Sequence, residues 1–322
     1  MIGVHGKQSA ENAIITVGFC PCWDVTCRVE GIEWGEHKRI ASQSAVPAGK
    51  ALNISKAMNW LGIGTAAAGL WGQSDYPQML ETLKADYPLI TPCFTVVSGK
   101  TRQNITLIDT KAKREMHLRA DCRLAVQNSL RQLKTDLDNI VTPASTVVFA
   151  GAIPDGFLDE CLSLIKHTRD KGAKIAVDTS GSALKEIIKI GGLSLIKPNL
   201  EELCQLLGRP IQNEVASIVE ASRSLCNSVN IILVSRGADG ALAITSKDAF
   251  QCYAKTNRFN VVNTVGCGDY LLAGFLSQMD AGDIHQALLT GVKVATAKAC
   301  GFSETTSWPT VDRKFDADIF TY

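Results

Sequence analysis

Hydrophobic positions along the chain follow two rhythms. Short unbroken apolar runs, "AIITVGF", "STVVFAGAI", "KIAVDTS", "LSLIKPN" and "NIILVSRG", are too brief for helices and rich in β-branched residues. They predict strands buried on both faces. Between them lie segments of helical period; over residues 51–61, Ile54, Ala57, Met58 and Leu61 fall on one stripe. Strand and helix in alternation predict an α/β fold, a mostly parallel central sheet flanked by helices. With no fixed-period repeat and no low-complexity linker, the expectation is a single domain over residues 1–322. Its ordered part begins at about Ile14, and the opening "MIGVHGKQSAEN" reads as a loose tail.

Two stretches break the rhythm: "DVTCRVEGIEWGEHKRIASQSAVP" and "CFTVVSGKTRQNITLIDTKAKREMHLRA". Both alternate apolar and polar residues around turn signals, as hairpin strands with one wet face do. They predict a small β-sheet lid, built from segments at about 24–47 and 93–120. The lid is expected over the C-terminal edge of the main sheet, where open parallel sheets place their ligands.

A chain of 322 residues buries a large core, and 46% apolar with 20% charged residues is ordinary for a soluble protein. The formal charge of +1 supplies no basic field, so neither nucleic acid nor a membrane surface is an expected partner. Any anionic ligand must then be met by local cations. No apolar run reaches the length of a membrane span. The eleven cysteines are odd in number, scattered through apolar segments and preceded by no signal-peptide pattern. That favours reduced thiols and a cytoplasmic location. Cys20, Cys22 and Cys27 have no second cluster to complete a zinc site and read as small buried hydrophobes.

The stretch with the most chemistry is "VVNTVGCGDYLLAGF". Here "FNVVNT" predicts a strand, "VGCG" a tight turn and "DYLLAGFLSQM" a helix. Gly266 and Gly268 permit positive φ and leave backbone N–H groups uncovered, and the first helical turn adds more. The product is an anion cradle. For a phosphoryl group in transfer, each such donor is worth ~10²–10³ in rate. Asp269 beside it is placed to take a proton from an attacking hydroxyl. The same residues also suit a plain glycine turn with Asp269 capping the helix. No GxxxxGK[ST] loop is present, and Leu271 breaks a GxGxxG fingerprint, which disfavours a Rossmann dehydrogenase.

An early "PAGKALN", then "TRQN", "IKPNLEE", "VSRGADGA" and the late "TVGCGD", in that order, resemble the ribokinase-like sugar kinases. More narrowly the chain resembles the phosphofructokinase B group, which includes 1-phosphofructokinase, tagatose-6-phosphate kinase and the minor 6-phosphofructokinase. The resemblance runs from about Ile15 to Gly301. It implies a three-layer ribokinase-like sandwich with a β lid, and ATP and Mg²⁺ as cofactors. Under it, Thr264, Gly266, Cys267 and Gly268 line the anion hole and Asp269 is the general base. Asn199 and Glu202 match the family's "NxxE", which organises magnesium through water. Asp24, Gly49, Lys50 and Asn53 face the sugar, and Arg102 with Asn104 grips a phosphate already on the substrate. Ser235 and Gly237 border the ATP phosphates, and the helix around Lys293 to Ala297 walls the adenine pocket.

The departures from the family pattern are Cys20, Ala48, Ala152, Asn263 and Cys267, most of them on the sugar side. The first reading is therefore an ATP-dependent kinase of a phosphorylated ketohexose, fructose 1-phosphate or a relative, giving a bisphosphate. The alternatives are a kinase of an unphosphorylated sugar or nucleoside, and a non-catalytic sugar or nucleotide sensor. Exposed lid edges seek partners, so a homodimer joined through the lid is a further expectation.

Overall fold

The computed structural model describes residues 13–255, 259–279, 282–303 and 305–322. The expected loose tail lies outside them. In chain order the elements are β1 (Ile14–Gly18), β2 (Cys22–Val29), β3 (Ile40–Ala48), α1 (Lys50–Trp60), β4 (Thr65–Gly72), α2 (Tyr76–Asp86), β5 (Ile90–Val97), β6 (Gln103–Asp109), β7 (Arg114–Leu118) and α3 (Gln127–Asp138). Then follow β8 (Thr146–Ala150), α4 (Leu158–Asp170), β9 (Lys174–Asp178), α5 (Gly181–Lys189), β10 (Leu193–Ile196), α6 (Leu200–Leu207), α7 (Val215–Arg223) and β11 (Val229–Ser235). The chain closes with β12 (Ala241–Ile244), β13 (Ala249–Lys255), α8 (Cys267–Leu276), α9 (Ile284–Ala299), α10 (Trp308–Asp312) and β14 (Asp316–Thr321).

Among the described residues these form a ten-stranded sheet in the order β14-β13-β12-β11-β10-β9-β8-β1-β4-β5 and a four-stranded sheet in the order β3-β2-β6-β7. The large sheet is parallel from β11 to β5 and antiparallel at its β12–β14 edge. Every predicted sheet-core strand is present. Strands β8 and β9 are almost wholly buried, as runs covered by helices on both faces must be. One face carries α3 to α7, with Leu133, Leu164, Ile187 and Leu203 in its core. The other carries α1, α8 and α9, with Ile54, Met58, Phe275 and Leu288.

Helices α8 and α9 meet main chain to main chain. A Cβ on Gly274 would lie 2.8 Å from the Gly291 Cα, and one on Gly291 would lie 2.8 Å from the Leu271 carbonyl oxygen. No side chain fits between them, so this contact fixes the distance between the two helices.

The small sheet pairs two hairpins, β2–β3 and β6–β7, through a parallel β2–β6 ladder. Alternation along β2 sends Trp23, Val25 and Cys27 into an apolar cluster with Trp71, Met79 and Leu83. Asp24, Thr26 and Arg28 take the opposite face. The Trp23 indole N–H donates to the Asp75 carboxylate, whose other oxygen accepts from Thr101 N at 3.1 Å.

Two expectations need correction, and one strand has no expectation behind it. The second lid segment, placed at about 93–120, begins inside β5, which pairs in parallel with β4 in the large sheet. As the edge strand, β5 is wet on one side and alternates like lid material. The predicted strand "FNVVNT" is irregular, and Val261 and Val262 are 58% and 72% exposed. Its main chain bonds to the end of α9 instead, with Val262 N and Asn263 N both donating to the Ala299 carbonyl at 2.7 and 3.2 Å. Finally, β4 is a strand that no β-branched run announces. Its "TAAAGLWG" is rich in alanine, a residue depleted in strands, and is held there by neighbours on both sides.

Candidate active site

The C-terminal ends of the parallel strands and the inner face of the small sheet enclose a cleft of about 900 Å³. At its floor α8 begins. Gly266 caps the helix with φ 78°, in the left-handed region where a side chain is strained, and Asp269 falls in the first helical turn. The Asp269 carboxylate does not cap its own helix. It accepts a hydrogen bond from Asn53 Nδ2 at 2.8 Å, across from α1, and is 5% exposed. Burial pushes its carboxyl up, the nearby charge of Asp178 adds to this, and the result is about 7. The Asn53 hydrogen bond and the charges of Lys50 and Lys197 pull the other way without prevailing.

Beneath Asp269 lies an ion cluster that no motif announces. Asp178, at the end of β9 and completely buried, accepts from Lys50 Nζ at 2.9 Å and faces Lys197 Nζ at 3.3 Å. Burial acts to raise the Asp178 carboxyl, but Lys197 and Lys50 outweigh it and hold it below the ordinary carboxylate range. Lys50 opens α1, an unfavourable end of the helix dipole for a cation, and Asp178 supplies the compensating charge. Burial works to lower the Lys50 ammonium, and Asp178 raises it net. Lys197 leans over the glycine turn: a Cβ on Gly268 would sit 3.2 Å from its Nζ.

Toward the small sheet, Asp24 and Asn104 stand opposite each other in the β2–β6 register. Asn104 Nδ2 donates to Cys22 Sγ at 3.1 Å and to Asp24 Oδ1 at 3.4 Å. Arg102 spends three N–H groups on main-chain carbonyls, those of Pro21 at 3.2 Å, Cys20 at 3.1 Å and Ala120 at 2.7 Å. A guanidinium carries five donors, so this pins its plane and leaves two more for a ligand. Arg28, Lys56 and Arg119 line the same end of the cleft. Lys56 is buried, donates to the Pro47 carbonyl and lies 5.1 Å from the Tyr87 ring centroid.

On the opposite side Asn199 and Glu202 form a reciprocal capping box at the start of α6: Glu202 N donates to Asn199 Oδ1 and Asn199 N to Glu202 Oε2, both at 2.8 Å. Ser235 follows through a single bridge to Asn199.

Of the residues expected in the site, Asp24, Gly49, Lys50, Asn53, Arg102, Asn104, Asn199, Glu202, Ser235, Gly266, Gly268 and Asp269 all reach this cleft. Thr264, Cys267, Gly237, Lys293 and Ala297 are not on its wall. Thr264 is exposed beside the turn, and the Cys267 thiol points back to the Asn263 carbonyl at 3.7 Å. Gly237 starts a short 3₁₀ turn beyond Ser235. Lys293 pairs with Asp312 at 3.1 Å and Ala297 is fully buried, so neither side chain is spent on the cleft. The corresponding wall comes from the end of α9 and beyond, at Lys298, Gly301, Phe302 and Ser303. Sequence reasoning missed Asp178, Lys197, Lys56 and Lys298. A charged residue ending a buried apolar run, as in "AVD" and "LIK", was the available signal for the first two.

The family model for pfkB family carbohydrate kinase matches residues 12–311. A 1-phosphofructokinase of Borreliella burgdorferi is 30% identical over 256 residues, which cover 78% of this chain and 80% of that one. Among solved structures, phosphofructokinase-2 from Escherichia coli in complex with fructose-6-phosphate superposes with a TM-score of 0.85 at 20% identity, covering 94% of this chain and 99% of that one. A possible 1-phosphofructokinase of Thermotoga maritima superposes at 0.78 with 22% identity, covering 96% and 100%. These two likenesses establish the ribokinase-like fold.

Proposed function

The chain belongs to the pfkB family of carbohydrate kinases, and from that premise we propose that it transfers the γ-phosphoryl group of ATP to a hydroxyl of a phosphorylated ketohexose, giving a sugar bisphosphate. The observation that carries this is Asp269: one buried carboxylate, raised to about 7, beside the glycine turn at the mouth of α8.

Asp269 takes the proton of the acceptor hydroxyl while the N–H groups of the Gly266–Gly268 turn hold the transferring oxygens. Lys197 and Lys50 face the same point and offset the charge that develops there. Phosphoryl transfer needs positioning and neutralisation rather than a covalent intermediate, so one base and a cradle suffice. Asn199 and Glu202 fit magnesium held through water. Glu202 keeps Oε1 outside the capping box, and Asn199 Oδ1, which accepts from Glu202 N, keeps a second lone pair. When bound, the ion neutralises the nucleotide's phosphates.

The cations Arg28, Lys56, Arg102 and Arg119 at the sugar end favour a substrate that already carries phosphate. The relatives' names, 1-phosphofructokinase and phosphofructokinase-2, support the ketohexose. Exposed apolar side chains on the lid's outer strands, Ile40, Met116 and Leu118, support a homodimer through the lid.

The direct test is nucleotide consumption against fructose 1-phosphate, fructose 6-phosphate, tagatose 6-phosphate and their neutral sugars, with and without magnesium. Turnover confined to neutral sugars would overturn the reading. Two further outcomes follow. With Asp269 as base, kcat/KM should fall tenfold per pH unit below about 7. A profile flat to pH 5 would remove Asp269 from that role. Arg102→Ala should raise KM for the sugar phosphate by ~30-fold or more, about 2 kcal/mol, since a charged partner is lost from a partly dry site. An unchanged KM would favour a neutral acceptor.

A further inference from the structure

Among the described residues, the lysines and arginines that line the cleft fall into three groups. Arg28, Lys56, Arg102 and Arg119 stand at the sugar end, and Lys50 and Lys197 share the buried charge of Asp178. Lys298 stands apart from both, on the far wall. Among the described residues its ammonium makes no ion pair with a carboxylate and no hydrogen bond. It lies instead against the face of Tyr270, 4.9 Å from the ring centroid.

The surroundings hold that lysine in place. It falls in the last turn of α9, where the negative end of the helix dipole favours a cation. Tyr270 directly follows Asp269 in α8 and is 4% exposed, so packing fixes its ring. Trp60 of α1 meets that ring at 6.0 Å between centroids, and Trp308 meets Trp60 edge-on at 5.2 Å. The Trp60 indole N–H donates to the Thr306 carbonyl at 2.7 Å, which ties the aromatic row to the C-terminal segment. A ring face attracts an ammonium without using any of its three N–H donors. The charge of Lys298 also reaches the glycine turn: burial raises the Cys267 thiol, and Lys298 pulls against it.

We propose that Lys298 is a nucleotide-binding residue, which donates from the far wall to the phosphate chain of ATP and sets the affinity for it. A nucleotide brings several negative charges to this end of the cleft. The glycine turn answers them with neutral N–H groups, and the Asn199–Glu202 box adds no positive charge. Lys50 and Lys197 answer only in part, because Asp178 already draws on both. Lys298 is committed to no anion, and a phosphate oxygen is the hard, charged acceptor that a lysine ammonium suits. Since Asp269 and Tyr270 are consecutive, one turn of α8 then carries the carboxylate that serves the sugar and the ring that seats the cation for the nucleotide.

The test is equilibrium binding of ATP, ADP and adenosine, with magnesium present, to the full chain and to its Lys298→Met and Lys298→Arg variants. Methionine keeps a flexible apolar stem against Tyr270 and removes the charge. Lys298→Met should bind ATP at least ~10-fold more weakly and ADP more weakly too, yet hold adenosine within about twofold of the parent, because only the phosphates lose a partner. The difference for ATP should shrink at high salt. Lys298→Arg should recover most of the loss, since a guanidinium also stacks on a ring and donates to phosphate. Unchanged ATP affinity in Lys298→Met, or a loss as large for adenosine as for ATP, would overturn the proposal; the second would set Lys298 against the base. Because the assignment rests on the kinase reading, the two can fail separately. ATP binding with no sugar turned over sinks that reading and leaves Lys298 to be judged by its variants, whereas a parent chain that binds no ATP overturns both.

Discussion

Asp269→Asn is expected to lower turnover by ~10²–10⁴-fold, the usual contribution of a positioned base, and to leave nucleotide affinity unchanged. The substitution keeps an acceptor for the Asn53 amide, which donates at 2.8 Å, so the turn and α8 retain their geometry. It should also stabilise the fold in alkaline solution. The Asp269 carboxyl stands at about 7 in the folded protein against 3.8 for an unperturbed aspartate, so between these values the folded state holds a proton that the unfolded state has released. Stability contributed by this site is present at low pH and is lost as pH rises through 7. The asparagine variant does not titrate. It should exceed the parent at pH 8 by on the order of 2–4 kcal/mol, with the gap closing toward pH 4. Denaturant melts at the two pH values, run beside single-turnover kinetics, read both effects. Equal turnover would remove Asp269 from the chemistry, and equal alkaline stability would mean its carboxyl is not raised.

The second large effect is expected at Asp178. It is fully buried between Lys50 and a nearly buried Lys197, so truncation leaves two ammonium groups without their counter-charge. Asp178→Ala should cost ~3–5 kcal/mol of stability, the penalty for breaking a buried pair from one side. It should also move the acid limb of activity below 7, because the Asp178 charge is one of the causes that raise Asp269. The two readouts are separable: urea titration gives the first, and the pH profile of whatever activity remains gives the second. A variant of parental stability would mean that solvent reaches the cluster and screens it.

The contrast between Asp269 and Asp178 shows what a sequence exposes and what it hides. Asp269 is legible because its chemistry is local: two glycines, a helix start and a carboxylate within a few residues. Asp178 and Lys197 are legible only as the ends of "KIAVD" and "LSLIK". What joins them is that β9 and β10 are parallel neighbours and therefore deliver their C-terminal ends to the same edge. The sheet-core strands were readable because burial on both faces writes a continuous apolar run. β5 was not assigned to its sheet because an edge strand carries the alternation of a lid strand, and β4 was missed because its alanines owe their conformation to neighbours. The far wall of the cleft was misplaced along α9 for a related reason. Lys293 turns to Asp312, Ala297 is buried in the core, and only the helix's end and the turn after it reach the opening.

The glycine seam between Gly274 and Gly291 has a mechanical consequence. With bare backbone against bare backbone at the crossing, and Leu271 and Val294 closing in beside the two glycines, the two rods have no slack to take up. The front of one carries the Gly266–Asp269 turn at the floor of the gorge and the rear of the other leads into its far wall, so both belong to a single stiff bracket. The flap is a separate sheet that stands outside this bracket, so a residue changed there leaves the bracket's spacing untouched.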